Sequence, residues 1–241
     1  MAGEVRIGTS GWHYKHWLGV FYPEELRPRG WLAHYVKYFD TVEINSTFYH
    51  LQPKSTFAGW REAAPPGFIY ALKGSRYLSH VRKLTEPEEP LERFLDSAGE
   101  LGPTLGPVLW QFPPRWERDV ERLRQFVDLL PGGWRFTFEF RDPSWFHEDT
   151  YELLRSGGHA LCIYDMGGEE SPEELTADWA YLRFHGPGAR YGSDYPRKAL
   201  QRWADRIAGW RDRGMDVYAY FNNDAHGYAV ANAQSLKELL F

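Results

Sequence analysis

The sequence predicts one closed (β/α)8 barrel over residues 1–241, and three observations support this fold class. Eight short β-rich runs recur along the chain, and amphipathic helical stretches separate them. Strands that alternate with helices form a parallel sheet, and eight such units in about 250 residues match the usual size of a barrel. An open doubly wound sheet is the competing arrangement. Against it, no G-x-G-x-x-G motif follows the first predicted strand, and the sequence contains no P-loop.

The predicted strands are runs of β-branched and aromatic residues at intervals that leave room for a crossover helix. They are Val5–Gly8, Thr41–Asn45, Phe68–Lys73, Val108–Gln111, Arg135–Arg141, Ala160–Asp165, Ala180–His185 and Val217–Asn222. Apolar stripes with helical spacing lie between them and after the last strand, and the stripe before the eighth strand ends at Gly214, a typical helix C-cap. The sixth crossover is the weakest, because the Ser-Pro-Glu-Glu capping-box pattern at residues 171–174 leaves little room for a helix.

Composition is that of a globular protein, with 43% hydrophobic and 25% charged residues. The single cysteine, Cys162, excludes an internal disulfide and a cysteine-based zinc site, which is consistent with a cytoplasmic protein. We expect no membrane association. The N-terminal residues lack the apolar core of a signal peptide, and no apolar run approaches the ~20 residues that span a bilayer. The net charge of −5 provides no overall attraction to nucleic acid.

Alternation along the strands predicts which side chains point into the barrel. In the fifth predicted strand, three phenylalanines at positions 136, 138 and 140 form one face, and Thr137, Glu139 and Arg141 form the other. Catalytic sites of such barrels lie where the strands end. The sequence therefore predicts a polar pocket there, formed by Ser10, Glu43, Asn45, Lys73, Gln111, Glu139, Arg141, Asp165, Arg183, His185, Tyr220 and Asn222. The alternative is a buried ion-pair network that only fills the barrel, although apolar packing would stabilise it better.

Two loops extend this predicted pocket. The long segment after the first strand contains Trp12, Tyr14 and Trp17, which would either stack on a planar base or sugar ring or form a hydrophobic plug over the rim. The loop after the seventh strand contains Tyr191 and also three glycines with an arginine, at positions 186, 188, 192 and 190. Backbone N–H groups in this region of a barrel often bind phosphate, so the loop is a candidate phosphate site.

Two familiar chemistries fit the predicted pocket poorly. A glycosidase needs two carboxylates, and Glu139 with Glu43 or Asp165 could form the pair. The common barrel glycosidases have their acid and nucleophile after strands four and seven, where this chain has Gln111 and His185.

A metal triad of Glu139, Asp165 and His185 is geometrically allowed, because these residues lie on consecutive strands. The cationic side chains Lys73, Arg141 and Arg183 would repel a metal ion, and we therefore expect neither a metal nor another cofactor.

General acid–base chemistry fits these residues best, with Glu139 as the leading proton carrier and His185 second. Glu43 and Asp165 complete the predicted catalytic set. Nucleophilic catalysis is less favoured. Ser10 lacks a nucleophile elbow, and Cys162 is expected to face the helices. A Schiff base on residue 73 would need a desolvated lysine, whereas the nearby carboxylates are expected to keep this one protonated.

Six stretches resemble the YecE-like family, known as domain of unknown function seventy-two. They are IGTSGWHYKHWLGVFYP (7–23), FDTVEINSTFYHLQP (39–53), WQFPP (110–114), FEFRDPSW (138–145), LRFHG (182–186) and FNNDAHGYAVANAQSL (221–236). The resemblance implies a closed (β/α)8-type barrel and adds little about activity. It implies strand-end residues at Trp12, Tyr14, Trp17, Glu43, Asn45, Phe48, Tyr49, Lys73, Gln111, Glu139, Arg141, Asp165, Arg183, His185, Asn222 and Asn223.

Two functional hypotheses follow. The first is a metal-independent hydrolase, lyase or isomerase that acts on a polar anionic ligand such as a sugar, a sugar phosphate or a nucleotide. In it, Lys73, Arg141 and Arg183 hold the anionic group, while the side-chain amides orient hydroxyl groups, namely those of Asn45, Gln111 and Asn222. The second is a non-catalytic protein that binds a ligand or nucleic acid through the aromatic rim. The sequence leaves the oligomeric state open.

Overall fold

A computed structural model describes residues 1–188 and 191–241, and it confirms the predicted barrel. Eight strands form the barrel, and a ninth, two-residue strand pairs with one of them at the rim. The strands are β1 (Val5–Thr9), β2 (Thr41–Ile44), β3 (Ile69–Lys73), β4 (Leu105–Gln111), β5 (Phe136–Glu139), β6 (Ala160–Met166), β7 (Glu169–Glu170), β8 (Trp179–Phe184) and β9 (Asp216–Phe221).

The hydrogen-bonded order is β1-β9-β8-β6-β5-β4-β3-β2, with all of these pairs parallel, while the short β7 runs antiparallel to β6. The Tyr35 hydroxyl bridges the two ends of this order. It accepts from the Thr9 amide at 3.0 Å and donates to the Thr41 carbonyl oxygen at 3.1 Å. Gly8 permits this approach, because a Cβ there would lie only 2.3 Å from the Thr41 carbonyl oxygen.

Helices cover the outside of the barrel. They are α1 (Trp31–Tyr35), α2 (Ser46–Tyr49), α3 (Lys54–Ala63), α4 (Glu88–Ala98), α5 (Val120–Val127), α6 (Glu148–Ser156), α7 (Arg197–Asp212) and α8 (Tyr228–Leu240). A wide π-helical turn, Tyr77–Val81, lies between β3 and α4. As predicted, the chain leaves α7 through Gly214, whose φ of +85° favours glycine. None of the helices in the described part of the chain is long and apolar enough to cross a membrane.

The sixth crossover has no helix, so the predicted capping box there is wrong. The Ser171 hydroxyl instead accepts from the Tyr164 amide at 3.0 Å, and the Thr176 hydroxyl accepts from the Leu161 amide at 2.8 Å. Both amides belong to β6, whose register with β5 covers only its first two residues. The Ser171 hydroxyl therefore satisfies an amide of β6 beyond the residues paired with β5, and the Thr176 hydroxyl satisfies one at the start of the strand.

The barrel has two cores, which correspond to the two faces of its strands. The outer core lies between the strands and the helices and contains the phenylalanines of β5 with Leu182 and Phe221. The inner core contains Ala71, Leu109, Ala160, Cys162, Trp179, Tyr181, Tyr218 and Tyr220. The alternation predicted for the fifth and eighth predicted strands, which are β5 and β9 of the structure, agrees with this division. On β6 it was wrong, because Cys162 faces inward; residues 160–163 are all apolar and carry no alternation signal.

Candidate active site

A layer of buried charges lies above the inner core, at the C-terminal ends of the strands. Arg183 occupies its centre and contacts two fully buried carboxylates. Its Nε and Nη2 donate to Glu43 at 2.9 and 2.8 Å, and its Nη1 donates to Glu139 at 2.7 Å. One arginine thus bridges the carboxylates of β2 and β5, and its several charge-assisted hydrogen bonds offset part of the cost of burying these groups.

Neighbouring donors occupy the remaining positions on these carboxylates. The Ser10 hydroxyl and the Tyr181 hydroxyl donate to Glu43 at 2.7 and 2.8 Å. Arg141 donates through Nε to Glu139 at 2.5 Å. Each of the four carboxylate oxygens therefore accepts at least one hydrogen bond. We refer to Glu43, Glu139, Arg141 and Arg183 as the carboxylate–arginine network.

Electrostatics in this network keep Glu139 ionised. Burial alone would raise its pKa, but the guanidinium groups of Arg141 and Arg183 hold the pKa well below its ordinary value. A carboxylate with a depressed pKa and both oxygens occupied is a poor proton carrier. The predicted position of Glu139 agrees with the structure, while its contacts favour an anchoring role over proton transfer.

His185 lies beside the network as a neutral imidazole. Its Nε2 is 3.0 Å from Arg141 Nη2 and 3.5 Å from Arg183 Nη1, and because guanidinium nitrogens only donate, Nε2 must be the acceptor. Its Nδ1 then carries the proton and can donate to the Asn222 side-chain amide, 3.2 Å away, only when that amide turns its oxygen toward the ring. Burial, with Arg183 next in effect, holds the pKa of His185 well below its ordinary value. Its lone pair is thus directed at Arg141.

Lys73, at the end of β3, differs from the other charges of the layer. It is 9% exposed, and its Nζ lies 4.1 Å from the centre of the Phe48 ring. Within the described residues, no carboxylate lies at salt-bridge distance from Nζ. Desolvation, followed by repulsion from Arg183, lowers the pKa of Lys73 to about 8. The carboxylates raise this pKa, but they offset burial and the arginines only in part, because arginines already occupy their oxygens.

A cavity of 380 Å³ opens beside the layer. Its wall includes Ser10, Trp12, Tyr14, Asn45 and Trp60. Trp12 packs edge-on against Trp60 at 6.0 Å, and the Tyr14 hydroxyl donates to the Ser10 carbonyl oxygen at 2.6 Å. The Asn45 Oδ1 is buried and accepts no hydrogen bond from the described residues. The predicted Trp12, Tyr14, Asn45 and Ser10 thus line one polar and aromatic cavity.

Trp17 and Tyr220 do not reach this cavity. Trp17 is 0% exposed, and its indole N–H donates to Asp224 at 2.8 Å, so it belongs to the hydrophobic plug and not to a stacking surface. Tyr220 points inward as predicted but lies deeper, where its hydroxyl and that of Thr41 are 2.7 Å apart. Neither side chain is placed to contact a ligand at the rim.

The other predicted rim residues take separate positions. Tyr49, on α2, is 66% exposed, and Gln111 is half-buried with its amide donating to the Phe112 carbonyl oxygen at 3.2 Å. The Tyr191 ring stands edge-on to His185 at 5.2 Å. Tyr191 therefore covers the His185 side of the layer, while Tyr49 lies toward Lys73, next to Phe48 in sequence.

Asp165 points away from the layer, which corrects its predicted place in the pocket. Cys162 and Tyr164 carry the inward face of β6, and Arg141 stacks 4.4 Å from the Tyr164 ring. The Asp165 side chain instead lies on the outer-core side of β6, where its Oδ1 accepts no hydrogen bond from the described residues and the Tyr195 hydroxyl donates to its backbone carbonyl oxygen at 3.4 Å. Burial, with the nearby Glu170, raises its pKa to about 6. This position also removes the proposed metal triad and one of the two glycosidase pairs.

The glycine-rich loop after β8 offers less to a phosphate than the sequence suggested. The Gly186 amide donates to the Tyr195 hydroxyl at 3.1 Å, and the Gly188 amide donates to the Ser193 hydroxyl at 3.0 Å. These two N–H groups are therefore already satisfied. Arg190, the predicted basic residue of this loop, lies outside the described residues.

His80 is a site residue that the sequence reasoning missed. It lies on the π-helical turn, with its ring edge-on to Phe48 at 5.0 Å and its Nδ1 3.0 Å from the Ser79 hydroxyl. Desolvation, with repulsion from Lys73 next, lowers the pKa of His80 to about 4. The sequence did contain a signal that could have identified His80, namely a histidine in the long segment that follows a barrel strand. We refer to Lys73, Phe48 and His80 as the lysine corner.

Over residues 1–188 and 191–241, no group of three or more His, Cys, Asp or Glu side chains is arranged to hold a metal ion. The absence of a metal and of other cofactors stays a prediction.

Comparison with known proteins identifies relatives along nearly the whole chain. It is 26% identical to protein YunF of Bacillus subtilis, covering 98% of this chain and 94% of that protein, and 29% identical to protein YecE of Escherichia coli, covering 86% and 82%. A crystal structure from Thermotoga maritima, described as a DUF72 family protein, superposes with a TM-score of 0.89 at 30% identity, covering 98% and 99% of the two chains.

A second DUF72 family structure, from Enterococcus faecalis, superposes with a TM-score of 0.85 at 20% identity, covering 98% and 95%, and supports the fold. The family described as "Protein of unknown function DUF72" matches residues 6–241. The predicted family resemblance is confirmed, and the chain belongs to the DUF72 family.

Proposed function

We propose that this protein is a metal-independent enzyme that acts on a small, polar, anionic molecule bound at the C-terminal end of the barrel. A sugar phosphate, a nucleotide or an acidic sugar has the required chemistry. The reaction class is a hydrolysis, lysis or isomerisation that depends on proton transfer and not on redox change.

The surplus of positive charge in the buried layer carries this proposal. Three cations, Lys73, Arg141 and Arg183, face two carboxylates, Glu43 and Glu139, and the neighbouring His185 is neutral. A buried cation is costly unless something neutralises it. An anionic ligand beside Lys73 and Arg141 would remove that cost. The same positive charge would repel a divalent metal ion.

The alternative of a nucleic-acid-binding protein loses part of its support. It relied on Trp12 and Trp17 as a stacking platform, but Trp17 is buried and Trp12 packs on Trp60. No other observation favours this alternative over a small ligand.

Thermal unfolding with a ligand panel tests the proposal. The panel pairs each anionic compound with its neutral counterpart, such as glucose 6-phosphate with glucose and AMP with adenosine, and adds short oligonucleotides and Mg²⁺ with and without chelator. A ligand at 100 times its Kd adds about 2.7 kcal/mol to the free energy of unfolding, which would raise Tm by roughly 5–10 °C. We expect the anionic member of a pair to raise Tm and its neutral counterpart to have little effect.

Variants and turnover complete this test. Arg141→Gln should weaken binding of the active compound by about tenfold or more, because it removes a charge-assisted donor, while Arg155→Gln on the surface should not. NMR spectra of the incubated compound should show conversion to product. Shifts produced by oligonucleotides alone, or by neutral compounds as much as by anionic ones, would contradict the proposal. If a ligand binds but is never converted to product, the protein is a binding protein and the catalytic part of the proposal is wrong.

A further inference from the structure

Lys73 is the one cation of the buried layer whose charge the fold does not match, judged over the residues that the structure describes. Arg183 and Arg141 take the oxygens of both carboxylates, and the Lys73 amine rests on the Phe48 ring. A cation–π contact stabilises an ammonium group less than an ion pair with hydrogen bonds does. The corner therefore holds an amine whose charged form is weakly stabilised.

Lys73 is not fully enclosed, since 9% of the residue is exposed. Two cavities open beside its strand end. The wall of the 380 Å³ cavity includes Asn45, which follows β2, and the wall of a second cavity, of 330 Å³, includes Ser75, two residues beyond Lys73.

The surrounding charges favour the neutral amine. Lys73 faces charged and titratable groups from four neighbouring elements. They are Glu43 from β2, Glu139 from β5 with Arg141 just after it, Arg183 from β8, and His80 from the π-helical turn. Burial and the two arginines outweigh the two carboxylates, and the resulting pKa of about 8 leaves about a tenth of the amine neutral at pH 7. That fraction is on the order of a hundredfold larger than for an ordinary lysine. Desolvation and adjacent cations are the conditions that activate lysine as a nucleophile.

His80 supplies a proton carrier in the same corner. Phe48 contacts both partners, with the Lys73 amine over its face and the His80 ring at its edge. Because burial and the charge of Lys73 depress the pKa of His80 to about 4, its imidazole is neutral at pH 7 and can accept a proton. The π-helical turn that carries it is a backbone form often found at functional sites.

We propose that Lys73 is a nucleophile that forms an imine with the aldehyde or ketone group of an anionic substrate. This inference rests on the proposed function and narrows the substrate class to carbonyl compounds that carry a phosphate or a carboxylate, with Arg141 holding the anion. The Nζ lone pair forms the bond to the carbonyl carbon while the C=O π electrons move to oxygen. The two Nζ hydrogens then leave with that oxygen as water, His80 relaying one of them, and a C=N bond remains. Protonated, this imine draws electrons from the adjacent carbon, which allows proton abstraction or carbon–carbon cleavage there.

Reductive trapping tests the inference directly. The full-length protein is incubated at pH 7 with dihydroxyacetone phosphate or pyruvate and sodium cyanoborohydride, and intact mass and peptide mapping locate the adduct. Dihydroxyacetone serves as the neutral counterpart of the phosphate compound. Lys73→Arg keeps the charge but removes the nucleophile. Lys237→Arg is the matched control, since Lys237 also lies over a phenylalanine ring, at 5.4 Å from the centre of Phe39, but outside the site.

We expect one adduct on Lys73, formed at least tenfold faster with the phosphate compound than with dihydroxyacetone. Lys73→Arg should lose this adduct, and Lys237→Arg should retain it. His80→Gln should slow formation of the adduct, and the adduct that does form should still lie on Lys73. This is the result expected for a proton relay.

The outcomes separate this inference from the proposed function. If dihydroxyacetone phosphate raises Tm in wild type and in Lys73→Arg but no adduct forms on residue 73, the anion site stands and the nucleophile is overturned. Labelling spread over surface lysines at equal rates overturns it as well. If none of the anionic compounds of either panel binds or reacts, both proposals fall.

Discussion

Two halves of one buried charged layer behave differently. In the carboxylate–arginine network, each carboxylate oxygen receives a donor and each guanidinium has a carboxylate partner. In the lysine corner, a cation of similar burial rests on an aromatic ring. The contrast separates charges that are matched within the fold from one that is not, and under our proposal the unmatched charge is the one that a ligand contacts.

The largest effect should come from breaking the matched half. Arg183→Met leaves Glu43 and Glu139 without their central partner, and we expect the free energy of unfolding to fall by about 3–5 kcal/mol. Urea unfolding at 25 °C measures this change. Arg155→Met, which removes an exposed arginine paired with Glu148 and Glu174, should have a small effect. Equal losses in the two variants would mean that the network contributes no more than a surface ion pair.

Removing the unmatched charge should have the opposite sign. Lys73→Met keeps an unbranched apolar side chain beside Phe48, one atom shorter than lysine, and removes a desolvated ammonium group. We expect this variant to be more stable than wild type at pH 7 by about 1–3 kcal/mol, because the lowered pKa means that folding penalises the charged form. The same urea experiment provides the measurement. A loss of stability would show that Lys73 has a stabilising partner in the folded state.

Asp165 provides a second test of the comparison. Like Lys73, it is buried and has no ion pair among the described residues, but it lies outside the charged layer. Its folded-state pKa of about 6 lies above the ordinary value of 3.8, so its contribution to stability is present below pH 4 and is lost as the pH rises through 6. Asp165→Asn should therefore be more stable than wild type by about 1–2 kcal/mol at pH 8 and nearly equal to it below pH 4. Asp128→Asn, on an exposed residue, is the control. A difference that does not change with pH would contradict the assigned pKa.

Much of this architecture could be predicted from the sequence, because the alternation of polar and apolar residues along a strand shows which side chains share a face. β5 and β9 alternate clearly, so the inward positions of Glu139, Tyr220 and Asn222 followed from spacing alone. β6 begins with four apolar residues, so spacing does not show which of its residues face inward. The directions of Cys162 and Asp165 therefore depended on contacts that the sequence pattern does not encode.

The site was harder to predict because its properties depend on pairing. Sequence alternation places charges in a layer but does not tell which carboxylate meets which cation. The arginines outcompete Lys73 because one guanidinium spans both Glu43 and Glu139, a distance set by the barrel. The burial of Trp17 could not be predicted either. An aromatic residue in a loop has the same sequence pattern whether it packs in the hydrophobic plug or faces a ligand cavity.

The pH dependence of the difference between Lys73→Met and wild type tests the central claim most directly. The free energy of unfolding of both proteins would be measured from pH 6 to pH 11. Since the folded-state pKa of Lys73 is lowered, the stability advantage of the variant should be full below pH 8, decline above it, and nearly disappear beyond the ordinary lysine pKa of 10.5. An advantage that stays constant over this range, or a variant less stable than wild type at pH 7, would contradict the account of Lys73 as an unmatched, ligand-facing amine.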